Sequence, residues 1–306
     1  MLVNAPTGIA WSIIPFPKAT SAQQYDEQLN ICTRATSIVD GYCNQILRST
    51  VDNEPINGPG NYRTNYRAST GETRIILSRW PITSILAVQW IPTATYPRTA
   101  ANWQTIPTGF YDIERPTLGV YQSSAPTGSG DGGQSITIAP GYGGWSAGRQ
   151  GFRYLVSYTN GWPHTSLTQQ ANVGDTTLHV DDVTGWLNAA GTIYDATNRE
   201  TVTVTGVTAN TPLLLPNNIG TVPAGPGTLT LSQPLSFGHS QGLVLSSLPG
   251  SILWATMLQA TAQALEAGIT SVSIQNMPGS LTTGGKGVHD LLLEADMLLA
   301  PYRRVI

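Results

Sequence analysis

Apolar positions recur at three- and four-residue steps near the start of the chain: Tyr25, Leu29, Cys32, Thr36, Val39, Cys43 and Ile46 share one face, and Ser21 stands where an N-cap belongs. That period predicts a helix from Ser21 to about Arg48 with one buried side. The next stretch, "VDNEPINGPGNYRTNYRASTGE", reads as turns, and "TRIILSRWPITSILAVQWIP" supplies two strand-like apolar runs separated by Trp80-Pro81, a pair suited to a bend or an edge. "GFYDIERPTLGVYQ" predicts a hairpin, and "SITIAP" and "GFRYLVSYTNGW" predict further strands. In the last of these Phe152, Tyr154, Val156 and Tyr158 alternate with Arg153, Leu155, Ser157 and Thr159, the period of a strand. The glycine-rich "SSAPTGSGDGG" and "PGYGGWSAGRQG" between them read as loops.

The pattern changes after Trp162. From Pro163 to Ser247 there is no helical period, only short β runs such as "TTLHV", "ETVTVTGV" and "GTLTLSQPL" punctuated by Gly, Asn and Pro, which predicts a small all-β sandwich or barrel. Helical character then returns. "LPGSILWATMLQATAQALEAG" starts after Pro249 and stops at Gly268, and a last helix runs from about Gly287 to Ala300. The chain therefore divides into residues 1–162, an inserted β domain over 163–247, and residues 248–306 that complete the first body.

Composition sharpens this picture in two ways. Charged residues make up 11% of the 306, with 32 Gly and 21 Pro, a balance that favours short strands and turns over long solvated helices. The net charge is −3, which excludes a general polycation gripping phosphate backbones. Within 163–247 stand Asp175, Asp181, Asp182, Asp195 and Glu200 against Arg199 alone, so this part carries −4 and the remainder +1. Cys32 and Cys43 lie eleven residues apart on one predicted helix, about 16 Å, too far for a disulfide, and are expected as reduced core residues. The apolar N-terminus lacks a basic opening and is broken by Pro15 and Pro17, so it does not read as a secretion signal, and no run is long enough to span a bilayer.

Candidate chemistry is sparse. "GWSAG", Gly144 to Gly148, matches a nucleophile elbow, but that elbow needs a strand turning into a helix, and glycines and another strand follow Ser146. A serine hydrolase would rest on that motif alone. "GSLTTGGKG", Gly279 to Gly287, sits where a phosphate loop would, yet Lys286 is followed by Gly287 where a magnesium-binding Ser or Thr is needed. His164, His179, His239 and His289 are scattered and expected in turns or at the surface, and Asp181 and Asp182 read as turn formers. No catalytic residue, metal ligand or cofactor is assigned.

Three pieces in order carry a resemblance: "LNICTRATSIVDGYCNQIL" leading into "IILSRWPITSILAVQWI"; "YLVSYTNGWP"; and an alanine-rich, proline-led helix followed by "EADMLLAPYRRVI". Together, over residues 20–162 and 248–306, they resemble the head-to-tail connector (adaptor) proteins of tailed bacteriophages. The chain departs from that pattern in lacking a clear short helix ahead of the main one and in carrying the β insertion, which itself resembles small β domains appended to phage structural proteins. The resemblance implies an α+β fold, with a helical connector core, a small antiparallel β element, and the inserted all-β sandwich or barrel.

It also implies a function without catalysis. Copies would form a dodecameric ring beneath the portal protein, extend the channel for double-stranded DNA without binding it tightly, and meet a tail-side stopper or tail-completion protein. The virion neck would be its address, reached from synthesis in the host cytoplasm. The chain end would dock on the portal, with Leu298, Leu299 and Tyr302 positioning it, Arg303 and Arg304 meeting carboxylates, and Val305 and Ile306 filling an apolar groove. The helices are expected to face the channel and the β domain to face outward. An alternative place in the virion is a neck or tail accessory whose β domain binds capsid or host glycan.

Overall fold

In the computed structural model the residues described are 11–13, 21–58, 63–67, 72–92, 95, 98–114, 135–138, 152–195, 198–266, 272–274 and 287–303. The first part of the chain holds β1 (Trp11–Ile13), α1 (Ser21–Cys43), β2 (Thr50–Asn57), β3 (Thr64–Arg67), β4 (Glu72–Ile76), β5 (Ile82–Pro92), β6 (Gln104–Ile106), β7 (Tyr111–Glu114), β8 (Ser135–Ile138) and β9 (Phe152–Asn160). Next come β10 (His164–Ser166), β11 (Thr177–Val180), β12 (Ala190–Tyr194), β13 (Glu200–Ala209), β14 (Leu213–Leu214), β15 (Thr221–Val222), β16 (Gly227–Leu231) and β17 (Val244–Ser246). The chain closes with α2 (Gly250–Glu266), β18 (Val272–Ile274) and α3 (Val288–Leu299).

Sheets, not helices, dominate, and the expectation of a helical connector core with a small β element is overturned. Two antiparallel four-stranded sheets, ordered β2-β9-β5-β6 and β3-β4-β8-β7, account for most of the first body. Ile56, Val88, Ile106, Tyr154, Val156 and Tyr158 from the first sheet meet Ile75, Ile136 and Ile138 from the second in a core of their own. The long pairings of β9 with β2 and β5 satisfy the backbone polar groups of strands buried on one face, which is what makes a sheet rather than a helix bundle the framework here.

The stretch read as turns contains β2. Asp52, Asn53, Glu54 and Pro55 hide it from an apolar alternation, but β2 is an edge strand, where a proline is tolerated. Its polar side chains bond across the ladder: Asn160 Nδ2 donates to Asp52 (2.8 Å) and Ser157 to Asn53 (2.6 Å). Glu54 accepts from Tyr158 (3.0 Å), the Ser78 amide (2.9 Å), the Ser78 hydroxyl and the Arg63 guanidinium. Burial alone would push the Glu54 carboxyl upward, but the bonds from Ser78 and Arg63 outweigh it and hold it below the ordinary glutamate value. The Tyr158 hydroxyl is pushed up by burial and by the Glu54 charge.

Between residues 164 and 246 six strands form one antiparallel sheet, β10-β17-β12-β13-β16-β11, that curls until Leu167 bridges Val180 beside its two edges, while β14 and β15 pair separately. Trp186 fills the inside with Leu178, Ile193, Val204, Leu229 and Leu245. Gly191 lets the sheet close over that indole, since a Cβ there would come within 2.6 Å of the ring.

The helices form a third layer. α1 ends at Cys43, earlier than its apolar period, because Asn44 adopts φ 57° and the chain turns away. Val39, Cys43 and Leu47 pack with Ile252, Leu258, Ala262, Leu291, Ala295 and Leu299, and Tyr194 and Val244 from the curled sheet join the same core. Segments before Trp162 and after Pro249 thus meet in one body. Both cysteines are free and buried, with thiols pushed up to about 12 by desolvation. No helix of the described residues is long and apolar enough to cross a membrane.

The layers are tied where the chain passes Gly161 and Trp162. Trp162 N donates to Leu47 O (3.0 Å), Ser49 N to Trp162 O (2.9 Å), and Gly161 N to Pro81 O (2.9 Å). Gly161 has φ 78°, and a Cβ would sit 2.6 Å from Arg48 O. Gly161→Ala is expected to lower stability by at least about 2 kcal/mol through backbone strain and this clash, measured by denaturant unfolding. Glu54→Gln is expected to cost about 3 kcal/mol at neutral pH by removing the carboxylate that Arg63, Ser78 and Tyr158 share. Because the folded carboxyl lies below 4.5, its contribution is whole above that pH and is lost as pH falls, so the variant's acid limb is shallower than the parent's in pH-dependent unfolding.

Candidate assembly surface

α2 is the buried centre of the helix layer. Apart from Ser251, Trp254, Gln263, Leu265 and its two end residues it is buried along its length, and Ala255, Ala260, Ala262 and Ala264 allow neighbours to approach closely. Thr256 and Thr261 hide their hydroxyls by donating to the carbonyls of Ile252 and Met257, each at 2.8 Å. α1 and α3 pack on it, joined to each other by the Tyr42 hydroxyl, which donates to Asp296 O (3.2 Å). Trp254 Nε1 reaches Glu294 (3.4 Å).

α3 shows why its surface matters. Leu291, Ala295 and Leu299 make the buried stripe, one turn apart. Directly opposite, at 100° per residue, stand Leu293, 53% exposed, and Met297, 71% exposed, also one turn apart. Asp290 and Glu294 flank that ridge on one side, His289 and Asp296 on the other, and α3 carries no Lys or Arg. The result is a short apolar ridge with an acidic rim on a helix that is rigidly held. Nothing in the apolar period separated these two residues from the core-facing leucines; only the rotation of α3 does.

The chain end is tethered to its own body as far as it is described. Leu299 is fully buried and Leu298 packs beside the same core. Tyr302 bonds Ser251 Oγ through its hydroxyl (2.9 Å) and sets its ring edge-on to Trp162 at 5.8 Å. Arg303 is exposed and lies over the Tyr42 ring at 5.4 Å. Leu298, Leu299 and Tyr302 thus anchor the segment, Arg303 projects from it, and Arg304, Val305 and Ile306 lie outside the described residues. So do Gly144 to Gly148, and Gly279 to Lys286. Gly287 starts α3, its amide donating to Asp290 Oδ2 (3.2 Å).

Two histidines expected in turns or at the surface are buried. His164 Nδ1 lies 2.9 Å from Ser246 Oγ, its partner across the β10–β17 ladder. His239, 1% exposed, sets Nδ1 3.2 Å from Asp195 and Nε2 3.2 Å from Glu200, so one ring nitrogen faces each carboxylate. Glu200 also accepts from the Ser236 amide (2.7 Å); burial would raise its carboxyl, and the bonds from Ser236, His239 and Phe237 hold it low. Sequence spacing could not reveal this triad, because residue 239 lies 44 and 39 positions from its partners.

The acidic pair also divides. Asp181, expected as a turn former, instead takes bonds from the Thr165 hydroxyl (2.6 Å) and the Ser166 amide (2.7 Å), residues of β10 far back along the chain. Asp182 accepts from the amides of Thr184 (2.9 Å) and Gly225 (3.2 Å) and pairs with Arg48 at 2.9 Å, a link between the first body and the curled sheet. Among the described residues no group of His, Cys, Asp and Glu side chains is placed to hold a metal ion, the His239 ring standing between its two carboxylates.

The fold and its exposed helix define a β-rich scaffold that presents, beside other exposed apolar side chains such as Leu187 and Leu214, the apolar ridge of α3. No family model, curated protein or solved structure matches the chain. His239→Ala would leave two enclosed carboxylates facing an empty space; the expected loss is about 3 kcal/mol, read by thermal and denaturant unfolding. His239→Gln, which keeps one donor, is expected to recover part of it.

Proposed function

We propose that the protein is a structural subunit of the neck of a tailed bacteriophage, in which copies close into a dodecameric ring that joins the portal to the tail and continues the DNA channel. The observation that carries the reading is the Leu293–Met297 ridge on α3, an exposed apolar pair on a well-packed helix. A ring requires each subunit to present one face that a different face of its neighbour covers. Burying the ridge would contribute about 1.5 to 3 kcal/mol per side chain before ordering costs, and that term recurs at every interface of the ring.

The remaining parts of the reading follow from the chain end and the charge. Arg303 is exposed beside the anchored Tyr302, and in this reading residues 304–306 that follow it dock on the portal. A net charge of −3 suits a channel through which DNA slides, since few cations are present to hold phosphates. Lining of the bore by a helical core is no part of this reading, because the body is built from sheets. A tail-side stopper or completion protein would meet the opposite rim of the ring.

Mass photometry and negative-stain imaging of the purified chain, alone and with portal-bearing heads, test the reading. Met297→Glu combined with Leu293→Asp is expected to abolish rings while leaving the melting transition unchanged. Removal of residues 304–306, which spares Tyr302, is expected to leave rings intact but prevent their joining to heads. Rings that survive the double substitution, or heads joined normally by the truncated chain, would refute the corresponding interface.

A further inference from the structure

The exposed ridge of α3 is longer than its two large side chains. Ala300, exposed and still helical at φ −49° and ψ −41°, follows Leu293 by seven residues, so Leu293, Met297 and Ala300 stand on one line at i, i+4 and i+7 over about 10 Å. That is the spacing with which a helix lies in an apolar groove. Methionine at its centre adapts to an irregular wall. A ring closed by such a ridge needs a second, different surface of the same chain to receive it.

A cleft of about 770 Å³ has the shape and chemistry for that role. Thr83, Ser84 and Thr159 line it from the first body, and Val183, Leu187 and Val207 from the curled sheet. Leu187 is 57% exposed, an aliphatic side chain left open in a concave place. The Thr83 hydroxyl already donates to Thr159 O (3.0 Å), so it asks for no partner from an occupant. None of the described lining residues is charged. Other exposed apolar side chains, Leu214 on β14 and Val173 and Phe237 in loops, lie outside this cleft.

Charge is arranged to admit the ridge. Asp290, Glu294 and Asp296 beside it exclude a seat walled by carboxylates, and residues 163–247 carry −4. Most of that charge stands at the far end of the curled sheet. Glu200 opens β13 seven residues, about 23 Å, before the lining residue Val207. Asp195 meets Glu200 at His239, and Asp175 O accepts from Leu235, next to the Ser236 that bonds Glu200. At the cleft, Asp182 precedes the lining Val183 and is paired with Arg48, whose side chain is 36% exposed. The acidic rim would therefore meet neutral walls and a guanidinium.

We propose that the α3 ridge of one copy seats in this cleft of the next, an inference that rests on the ring reading above and names the second face of its interface. Leu293 and Met297 would pack on Leu187 and the neutral walls, with the acidic rim at the mouth beside Arg48. Ridge and cleft are different surfaces, so a copy whose cleft is filled still offers its own ridge, and the contact repeats around the ring.

The test combines Leu187→Cys with Met297→Cys in the full chain; Cys32 and Cys43 do not compete, being buried with thiols pushed up to about 12. Mild oxidation of the assembled protein is expected to give a ladder of disulfide-linked multimers on non-reducing gels. Val173→Cys in place of Leu187→Cys, at a site 67% exposed but outside the cleft, is expected to give none. Independently, Leu187→Asp with Ser84→Asp, both exposed, is expected to abolish rings. Mixed with Leu293→Asp/Met297→Glu, that chain is expected to form one-to-one pairs, since the mixture holds one intact ridge and one intact cleft. Parent rings without the Leu187–Met297 ladder, or rings that survive Leu187→Asp with Ser84→Asp, would overturn this seating and leave the ring reading standing. A parent chain that closes no rings, alone or on heads, overturns both.

Discussion

Two stretches of backbone cross at Leu47–Ser49 and Gly161–Trp162, and the arrangement of every layer follows from that crossing. Trp162 N and O both bond to the incoming segment, at 3.0 and 2.9 Å, while Gly161 holds Pro81. On one side of this point β9 enters the large sheet; on the other, Pro163 leads into the curled one, with the Ser247 amide and hydroxyl both bonding Pro163 O. The Trp162 ring then collects Trp80 and Tyr302, each at 5.8 Å, so the β4–β5 bend and the chain end meet on a single indole. Close backbone approach requires a residue with no Cβ and a positive φ, which is why glycine precedes the tryptophan.

Around this crossing, polar groups placed inside the protein do the positioning that apolar packing leaves undetermined. Hydrophobic burial is non-directional, whereas Glu54 can satisfy Tyr158, Ser78 and Arg63 in only one arrangement of β2, β9 and the bend before β5. Arg48 and Asp182 set the approach of the curled sheet in the same way, and His239 binds its loop to the β12–β13 connection. With charge low overall, each of these pairs fixes one element against another.

Much of the local structure was legible. Ser21 and the three-and-four spacing located α1, the Pro249 and Gly268 punctuation located α2, and the alternation from Phe152 to Thr159 located β9. β2 was not legible, because Asp52 to Pro55 carry no apolar alternation and their partners are a hundred or more residues away. The extent of the sheets was underestimated for the same reason: edge strands such as β2 and β3 owe their stability to pairing, not to their own sequence. Of the chain end, Leu299 and Tyr302 proved to be anchors to the body, and the presented residues Leu293 and Met297 were indistinguishable by composition from their buried neighbours.

Sequence by itself determined what is set by near neighbours: helix periods and their stops, turn residues, the acidic bias of residues 163–247, and the absence of a disulfide between Cys32 and Cys43. Tertiary structure alone decided which face of α3 is covered, which aspartate crosses between bodies, and that two histidines lie inside. Local propensity reads interactions a few residues long, while pairing, burial and ionic contact depend on distances in space between residues remote along the chain.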